Sequence, residues 1–426
     1  MMARAMKDSG IELIGDIPSG WTVTRLKYNL STPMKYGATE TGVDFEEALP
    51  RYIRITDITA DGKLKEEGKL SLTQIQARGY ELKDKTILFA RSGGTVGKTF
   101  MYYSTYGKAA FAGYLISACS NPCLMLPEWI MLFTKSSAYW EWVNQVFSQA
   151  TIQNIGADKY SNMPIPIAPL EEQNRIVLFL QERCAEIEKV ASDVQAQIET
   201  LEQYKRSVIT EAVTKGLNPN VPMRITQIEW AERIPAHWAT MQNKYLMQKI
   251  KHVCPVYDDS DIISLTMNGV IVRDLDAGGK MPASFDGYQR VYPGNLLMCL
   301  FDYDVTPRCI GLIKNNGLTS PAYSQFIMKS GNSAEYYYYY YLMLDFTKEL
   351  LHLAKNLRHS FTEEQLGNIE TVVPPIEEQR AIATFLDAKC AEIDAIIDGK
   401  RQQLAVLEEY KKSLIFEYVT GKKEVP

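Results

Sequence analysis

Residues 169–215 recur at 375–421, offset by 206 positions with no gap. Glu171-Glu172-Gln173 matches Glu377-Glu378-Gln379, Cys184-Ala185-Glu186-Ile187 matches Cys390-Ala391-Glu392-Ile393, and Tyr204-Lys205 matches Tyr410-Lys411. Each copy opens on a proline (Pro169, Pro375), where a missing N–H costs nothing. Two glutamates follow, at the end of a helix whose dipole favours negative charge. Each closes on a glycine beside a lysine, Gly216 and Gly421, as helix C-termini do. Apolar residues alternate at spacings of four and three. The first copy gives Ile176, Leu180, Ile187, Val190, Val194, Leu201, Tyr204 and Val208; the second gives Ile382, Leu386, Ile393, Ile396, Leu407, Tyr410 and Leu414. That pattern predicts a coiled-coil seam over several heptads. Arg183, Lys389, Gln197 and Gln403 fall at recurring polar breaks, where they would set register at some cost in stability. At 1.5 Å per residue each helix would be roughly 65–70 Å long. The natural partner of one is the other, which leaves two rods and two globular blocks.

A chain of 426 residues exceeds what one core usually supports. The repeat divides it at 1–168, 169–216, 217–374 and 375–426. Each block opens on a related lead-in, Ile17-Pro18-Ser19-Gly20-Trp21 and Ile234-Pro235-Ala236-His237-Trp238, now offset by 217. The blocks therefore differ in length where the rods do not. Both tryptophans read as core anchors. Within the blocks, Tyr52 to Ile58 alternates like a half-buried strand. Thr86 to Ala90, Ile262 to Leu265 and Asn295 to Leu300 are further strands, while Pro127 to Ser136 and Glu335 to Leu353 are helices. The six tyrosines Tyr336 to Tyr341 belong to core or helix surface in the main, with base stacking as the alternative use. The predicted fold class is α+β, mixed α/β blocks on a helical scaffold.

Charge excludes less than it places. The chain carries −5 overall, yet residues 169–216 hold 6 basic and 9 acidic side chains and residues 375–426 hold 8 and 10. The blocks sum to zero, so the acidic excess marks the rods as protein-docking rather than DNA-binding surfaces. No apolar run reaches membrane-span length, and no signal-peptide pattern opens the sequence. Seven cysteines form no CxxC pair or zinc spacing, which fits reduced thiols in the cytoplasm.

Catalytic signatures are absent. Arg91-Ser92-Gly93-Gly94-Thr95-Val96-Gly97-Lys98-Thr99 resembles a P-loop but lacks the first glycine, since Ser92 stands there. Such a loop can instead bring backbone N–H groups and cations to a DNA phosphate. Asn121-Pro122-Cys123-Leu124 and Ser320-Pro321-Ala322-Tyr323 both break the motif of amino-group DNA methyltransferases. Four scattered histidines suggest no metal site. The alternatives to a DNA-recognition protein are a stand-alone adenine methyltransferase and a coiled-coil adaptor that binds no DNA.

The duplicated Pro-Leu/Ile-Glu-Glu-Gln openings, the rods behind them, the Ile-Pro-x-x-Trp lead-ins, and the segments Phe89 to Lys98 and Gly317 to Tyr323 resemble the specificity (S) subunit of type I restriction–modification systems. The resemblance covers essentially the whole chain. It implies two target recognition domains, each reading one half of a bipartite asymmetric double-stranded DNA site. It also implies an internal pseudo-two-fold repeat, with the long helices paired antiparallel to set half-site spacing. The partners it implies are two methyltransferase (M) subunits, which use S-adenosylmethionine, and restriction (R) subunits, which use ATP and Mg. This chain would itself bind no cofactor or metal and perform no chemistry. Candidate DNA contacts in the first block are Arg91, Ser92, Gly94, Thr95 and Lys98, backed by Arg51 and Arg54. In the second they are Arg290, Tyr303, Arg308, Tyr323, Arg358 and His359. The recognition loops of the family vary, so these positions come from residue type and place alone.

Overall fold

A computed structural model describes residues 4–59, 62–148, 154–276, 282–329, 331–354 and 359–426. The chain forms two compact units, Met1–Val194 with Gln402–Pro426, and Gln195–Arg401. The division falls inside the long helices rather than at their ends. Its cause is burial: the apolar stripe at each helix end belongs to a block's core.

The central helix spans Leu170–Lys215 (46 residues) and the distal helix Ile376–Val419 (44 residues). Gly216 and Gly421 follow them with φ of +76° and +71°, the left-handed turn that glycine enters without a Cβ penalty. Beyond Gly421 the Lys422 N–H reaches back to the Glu417 carbonyl at 2.8 Å. In the first unit the stripe comprises Ile176, Val177, Leu180, Cys184 and Val194, with Leu414, Ile415, Tyr418 and Val419 of the distal helix. In the second it comprises Ile198, Ile209, Ala212 and Val213, with Ile382, Leu386, Cys390, Ile393 and Ile397. Ile187, Leu201 and Leu407 are half-buried.

The expected seam needs correction at its tyrosines and polar breaks. Tyr204 is 48% and Tyr410 56% exposed, and Val190 and Ile396 also face solvent. Arg183, Gln197 and Gln403 are exposed and Lys389 is only half-buried. Cys184, Ile198 and Cys390 hold the buried positions one residue later. Cysteine packs as a small hydrophobe, so the line stays apolar and the polar residues do not sit in it. Arg183 and Lys389 pair with Glu186 and Glu392 on their own helices at 2.8 and 2.9 Å.

Within each unit the two helices run antiparallel. In the first, Phe179 packs on Tyr418 with ring centroids 4.7 Å apart, and Lys411 pairs with Glu188. In the second, Lys205 meets Asp394 at 2.6 Å and Arg401 meets Glu202 at 3.3 Å. Such exposed pairs contribute little each, about 0.2–1 kcal/mol. Reversing Lys205→Glu alone should therefore cost at most about 1 kcal/mol, and adding Asp394→Lys should recover it. A urea-denaturation cycle on the two single and one double variants measures this, and zero coupling would remove the pair from the helix contact.

Each block is built on a four-stranded antiparallel sheet. In the first unit the order is Lys35–Tyr36, Leu115–Ala118, Ile87–Ala90, Thr99–Met101. In the second it is Met247–Ile250, Ser324–Met328, Leu296–Met298, Ile310–Leu312. A second sheet flanks each one. The lead-in strand also pairs with the strand that feeds the helix: Thr22–Arg25 with Pro164–Ile167, and Ala239–Gln242 with Glu370–Val373. The fold is α+β with the same plan in both units.

Several expected elements are shorter than their sequence pattern, among them Asn295 to Leu300, which is a strand only over Leu296–Met298. The strand at Tyr52 to Ile58 stops at Ile53, because Arg54 and Asp57 close a short 3-10 turn with side-chain and backbone hydrogen bonds. Pro127 to Ser136 is helical only to Phe133, and a second helix follows at Ser137–Ser148. The tyrosine-rich helix spans Ala334–Thr347 and breaks at Lys348, φ +54°, before a 3-10 turn. All its tyrosines but Tyr338 are buried, which removes those rings from base stacking. Their hydroxyls instead cap polar groups of the core. Tyr336 donates to the Val213 carbonyl at 2.8 Å, Tyr337 to that of Val372 at 3.2 Å, and Tyr339 to Asp387 Oδ1 at 2.7 Å. A buried aromatic with a polar tip can satisfy a distant carbonyl and fill volume at once, and burial pushes the Tyr340 hydroxyl up to about 12.

Candidate nucleic-acid interface

The motifs that carry the repeat meet in space. Trp21 is fully buried, and its Nε1–H donates to Glu172 Oε2 at 2.8 Å. Trp238 does the same to Glu378 Oε2 at 3.0 Å. The following glutamine is buried in both copies. Gln173 donates to the carbonyls of Ala168 (2.8 Å) and Leu124 (3.1 Å) and accepts from the Leu126 N–H (2.9 Å). Gln379 donates to the Pro374 carbonyl and accepts from the Ser333 N–H, both at 2.8 Å. Each block is thus fastened to its own helix by a tryptophan–glutamate bond and an amide that satisfies both sides. The closing glycine completes the clamp: a Cβ on Gly421 would lie 2.4 Å from Pro18, and one on Gly216 3.1 Å from the Trp238 ring. The sequence shows these residues as a repeat, but only their packing shows why glutamine and glycine are required.

In the first block the glycine-rich loop leaves the Ile87–Ala90 strand at the centre of the sheet. Its foot is fixed from below. Tyr160 donates to the Ala90 carbonyl at 2.8 Å, the Gly97 N–H donates to Tyr160 at 3.2 Å, and Tyr139 donates to the Gly97 carbonyl at 2.6 Å. Burial drives both tyrosine hydroxyls upward in pKa, so they stay protonated donors. Gly97, φ +82°, abuts Val143 and Trp140. The rim is open: Gly93 and Gly94 are exposed, with nothing within 4 Å of where a Cβ would stand. Lys98 is exposed beside them.

Arg91 stands at the entrance of this loop in a shaped seat. Its guanidinium lies over the Tyr36 ring at 4.8 Å, Nε–H donates to Asn154 Oδ1 at 3.3 Å, and Nη1 donates to the Gly113 carbonyl at 3.4 Å. A guanidinium has five N–H donors in a plane, so others remain for an acceptor such as the O6/N7 edge of guanine. Arg91, Ser92, Gly94, Thr95 and Lys98 therefore share one loop. Tyr36 and Asn154 escape sequence reading because they come from distant segments.

Arg51 and Arg54 are elsewhere, on and after a strand of the flanking sheet. Arg51 is buried and tied to the Lys65 carbonyl and Glu66. Arg54 forks onto Asp57 at 2.7 and 3.0 Å and reaches the Gly68 carbonyl at 2.8 Å. Both are structural in this arrangement: Arg51 is buried inside the block, and Arg54 is committed to Asp57 and the Gly68 carbonyl.

The second block separates its candidates similarly. Tyr303 is buried in the core with Lys348 over its ring at 4.8 Å, which takes it out of reach of a base. Arg308 donates to the carbonyls of Met267 (2.6 Å) and Ile310 (3.2 Å) and to the Tyr338 hydroxyl (2.6 Å), so it pins a hairpin. Tyr323 is half-buried against Phe301, centroids 6.4 Å apart. Arg290 is half-buried and paired with Asp258, whose carboxyl Ser260 and Arg290 hold down at about 2. His359, φ +42°, pairs with Asp304 at 2.8 Å. Arg358 lies outside the described residues. Among the described residues no group of three or more His, Cys, Asp or Glu could hold a metal ion, and no helix is long and apolar enough to cross a membrane.

Comparison with known proteins agrees with this plan. The family model for the type I restriction modification DNA specificity domain matches residues 48–200 and 310–406. The type I restriction enzyme MjaVIII specificity subunit of Methanocaldococcus jannaschii is 26% identical over 295 residues, which is 64% of this chain and 65% of that protein. A putative type I restriction enzyme MjaX specificity subunit of the same organism is 23% identical over 97% of this chain and 96% of that protein. A chain solved in work on complex assembly and conformational transition of the type I R-M system superposes with a TM-score of 0.69 at 15% identity, covering 96% of this chain and 99% of that one. That last likeness is one of fold. The family match spans more than half of the sequence and includes parts of both helices and of both blocks; this chain belongs to the family of DNA specificity subunits of type I restriction–modification systems.

Proposed function

We propose that each block reads one half of a bipartite, asymmetric double-stranded DNA site, while the paired helices set the half-site spacing and dock two M subunits. The observation that carries this reading is the repeated clamp. Two blocks of the same sheet order are each fastened to the helices by Trp–Glu and buried Gln contacts, while their exposed loops differ in sequence. A rigid helix fixes a separation that a flexible linker would leave fluctuating. The acidic exposed faces of the helices suit protein partners better than phosphates. S-adenosylmethionine then belongs to the M subunits and ATP with Mg to the R subunits, and the complex acts in the cytoplasm on unmodified DNA.

Arg91 is the first block's strongest candidate for base reading, with phosphates meeting Lys98 and the Gly93-Gly94 N–H groups. Arg91→Ala should lower preference at one base pair of one half-site by about 1–3 kcal/mol, without moving the other half-site. Arg91→Lys should not restore it, because an ammonium lacks the planar fork. Mapping methylated adenines on a randomised DNA library, with the M subunits present, reads both outcomes. Loss spread evenly over all sequences would make Arg91 a phosphate contact instead.

A further inference from the structure

The second block carries a loop at the same place in its sheet as the glycine-rich loop of the first. The Leu296–Met298 strand is central, the Ile310–Leu312 strand is its outer neighbour, and residues 299–309 connect them. A second correspondence comes from the backbone. The Ile155 N–H donates to the Arg91 carbonyl at 2.8 Å, and the Phe361 N–H donates to the Leu300 carbonyl at 2.7 Å. Ile155 and Phe361 are 206 positions apart, the same offset as the helices. The strap across each loop is thus part of the repeat, and Leu300 occupies the place of Arg91.

The tip of this loop is chemically unlike its counterpart. Val305 is 72% exposed, and a β-branched apolar side chain at a loop tip stabilises no core. Beside it stand Asp302 and Asp304. Arg308, the loop's one cation, is half-buried and commits Nε, Nη1 and Nη2 each to one partner within the block. Two carboxylates beside one cation that is held inward on three partners make a poor phosphate contact.

The tip is nonetheless held firmly. Lys348 Nζ donates to the Thr306 carbonyl at 2.8 Å, the Thr306 N–H donates to the Asp302 carbonyl at 2.9 Å, and the Tyr303 N–H donates to that of His359 at 3.2 Å. Tyr303, buried, plugs the loop from below. Reading a base edge requires a side chain presented on a fixed support, and here that side chain is apolar. The one apolar mark on a major-groove edge is the thymine 5-methyl.

We infer that the 299–309 loop is the base-reading element of the second block, with Val305 set against the 5-methyl of a thymine in its half-site. The inference rests on the reading of the chain as a DNA-recognition subunit. It makes the two halves differ in kind: a guanidinium fork in one block and an apolar contact in the other.

The test uses the full chain assembled with M subunits and methylation of a randomised DNA library. Val305→Ala should weaken preference for one A·T pair roughly fivefold or more, in the half-site that Arg91→Ala leaves unchanged, with an unaltered thermal midpoint. Replacing that thymine by uracil, which deletes only the methyl, should cost the parent complex a similar factor and the variant nothing further. No shift with Val305→Ala, a shift in the half-site that Arg91 reads, or equal use of thymine and uracil by the parent would overturn the inference. If Arg91→Ala still relaxes one half-site, the recognition reading survives that failure. If neither variant moves any base preference, both readings fall.

Discussion

Trp238→Ala should destabilise the second unit by about 3–5 kcal/mol, the usual cost of emptying a fully packed aromatic site. The ring is nearly inaccessible and belongs to the core that joins the central-helix end, the distal-helix start and the tyrosine-rich helix. Its loss also removes the Nε1 donor that reaches Glu378 Oε2 at 3.0 Å and leaves that carboxylate with His237 alone. Trp238→Phe keeps most of the packing and should cost less, about 1–2 kcal/mol for the missing hydrogen bond and the smaller ring. Urea denaturation followed by hydrogen exchange on Glu370–Val373, the strand paired with the lead-in, measures both. The expected functional result is loss of one half-site's recognition before the other's, since the first unit keeps its own tryptophan. If the alanine variant loses less than the phenylalanine variant, the tryptophan is not the anchor of its block.

Gln173→Glu should be comparably damaging although it changes a single group. The amide bridges helix and block by donating to two carbonyls and accepting one N–H. A carboxylate there would face both carbonyls of Ala168 and Leu124 with no proton to offer. An uncompensated buried charge costs roughly 3–5 kcal/mol where it cannot be relieved by protonation. Gln173→Ala leaves three backbone groups without partners at about 1–3 kcal/mol each before any water enters. Linkage gives the glutamate variant a further signature. Burial would raise its folded-state pKa above the unfolded value, so the penalty should shrink as pH falls toward and below the raised pKa and grow as pH rises. A Gln173→Glu protein whose stability relative to the parent ignores pH between 4 and 8 (~4 units of pH) would place the carboxylate in water instead.

Much of this molecule was legible in the order of its residues. The repeat at Glu171-Glu172-Gln173 and Glu377-Glu378-Gln379, with glycine at each far end, marks two helices and their limits to within two residues. A helix states itself through local chemistry: a proline where no N–H is needed, acids at the positive end, a left-handed glycine at the stop. The tryptophans of the lead-ins were readable as anchors because an indole after Ile-Pro has little other use. The exposed glycine-rich loop could be picked out because Arg91 and Lys98 flank residues with small or no side chains.

Tertiary contacts decided the rest. Heptad spacing places Arg183 and Tyr204 in the seam, yet Cys184 and Ile198 fill it, because a one-residue rotation is set by what the blocks pack against the helix ends. Residue type marks Arg51, Arg54, Tyr303 and Arg308 as candidate DNA contacts, but each is buried in its block or held by partners inside it. Nothing in the sequence distinguishes an arginine that will meet Asp57 from one that will rest on Tyr36 and Asn154. Those partners lie from three to more than sixty positions away, and long-range proximity is not encoded in local pattern. The sequence alone determined that two blocks hang on two long helices. Only the folded chain determined which loop each block presents, because exposure belongs to the packed sheet and not to any stretch of residues by itself.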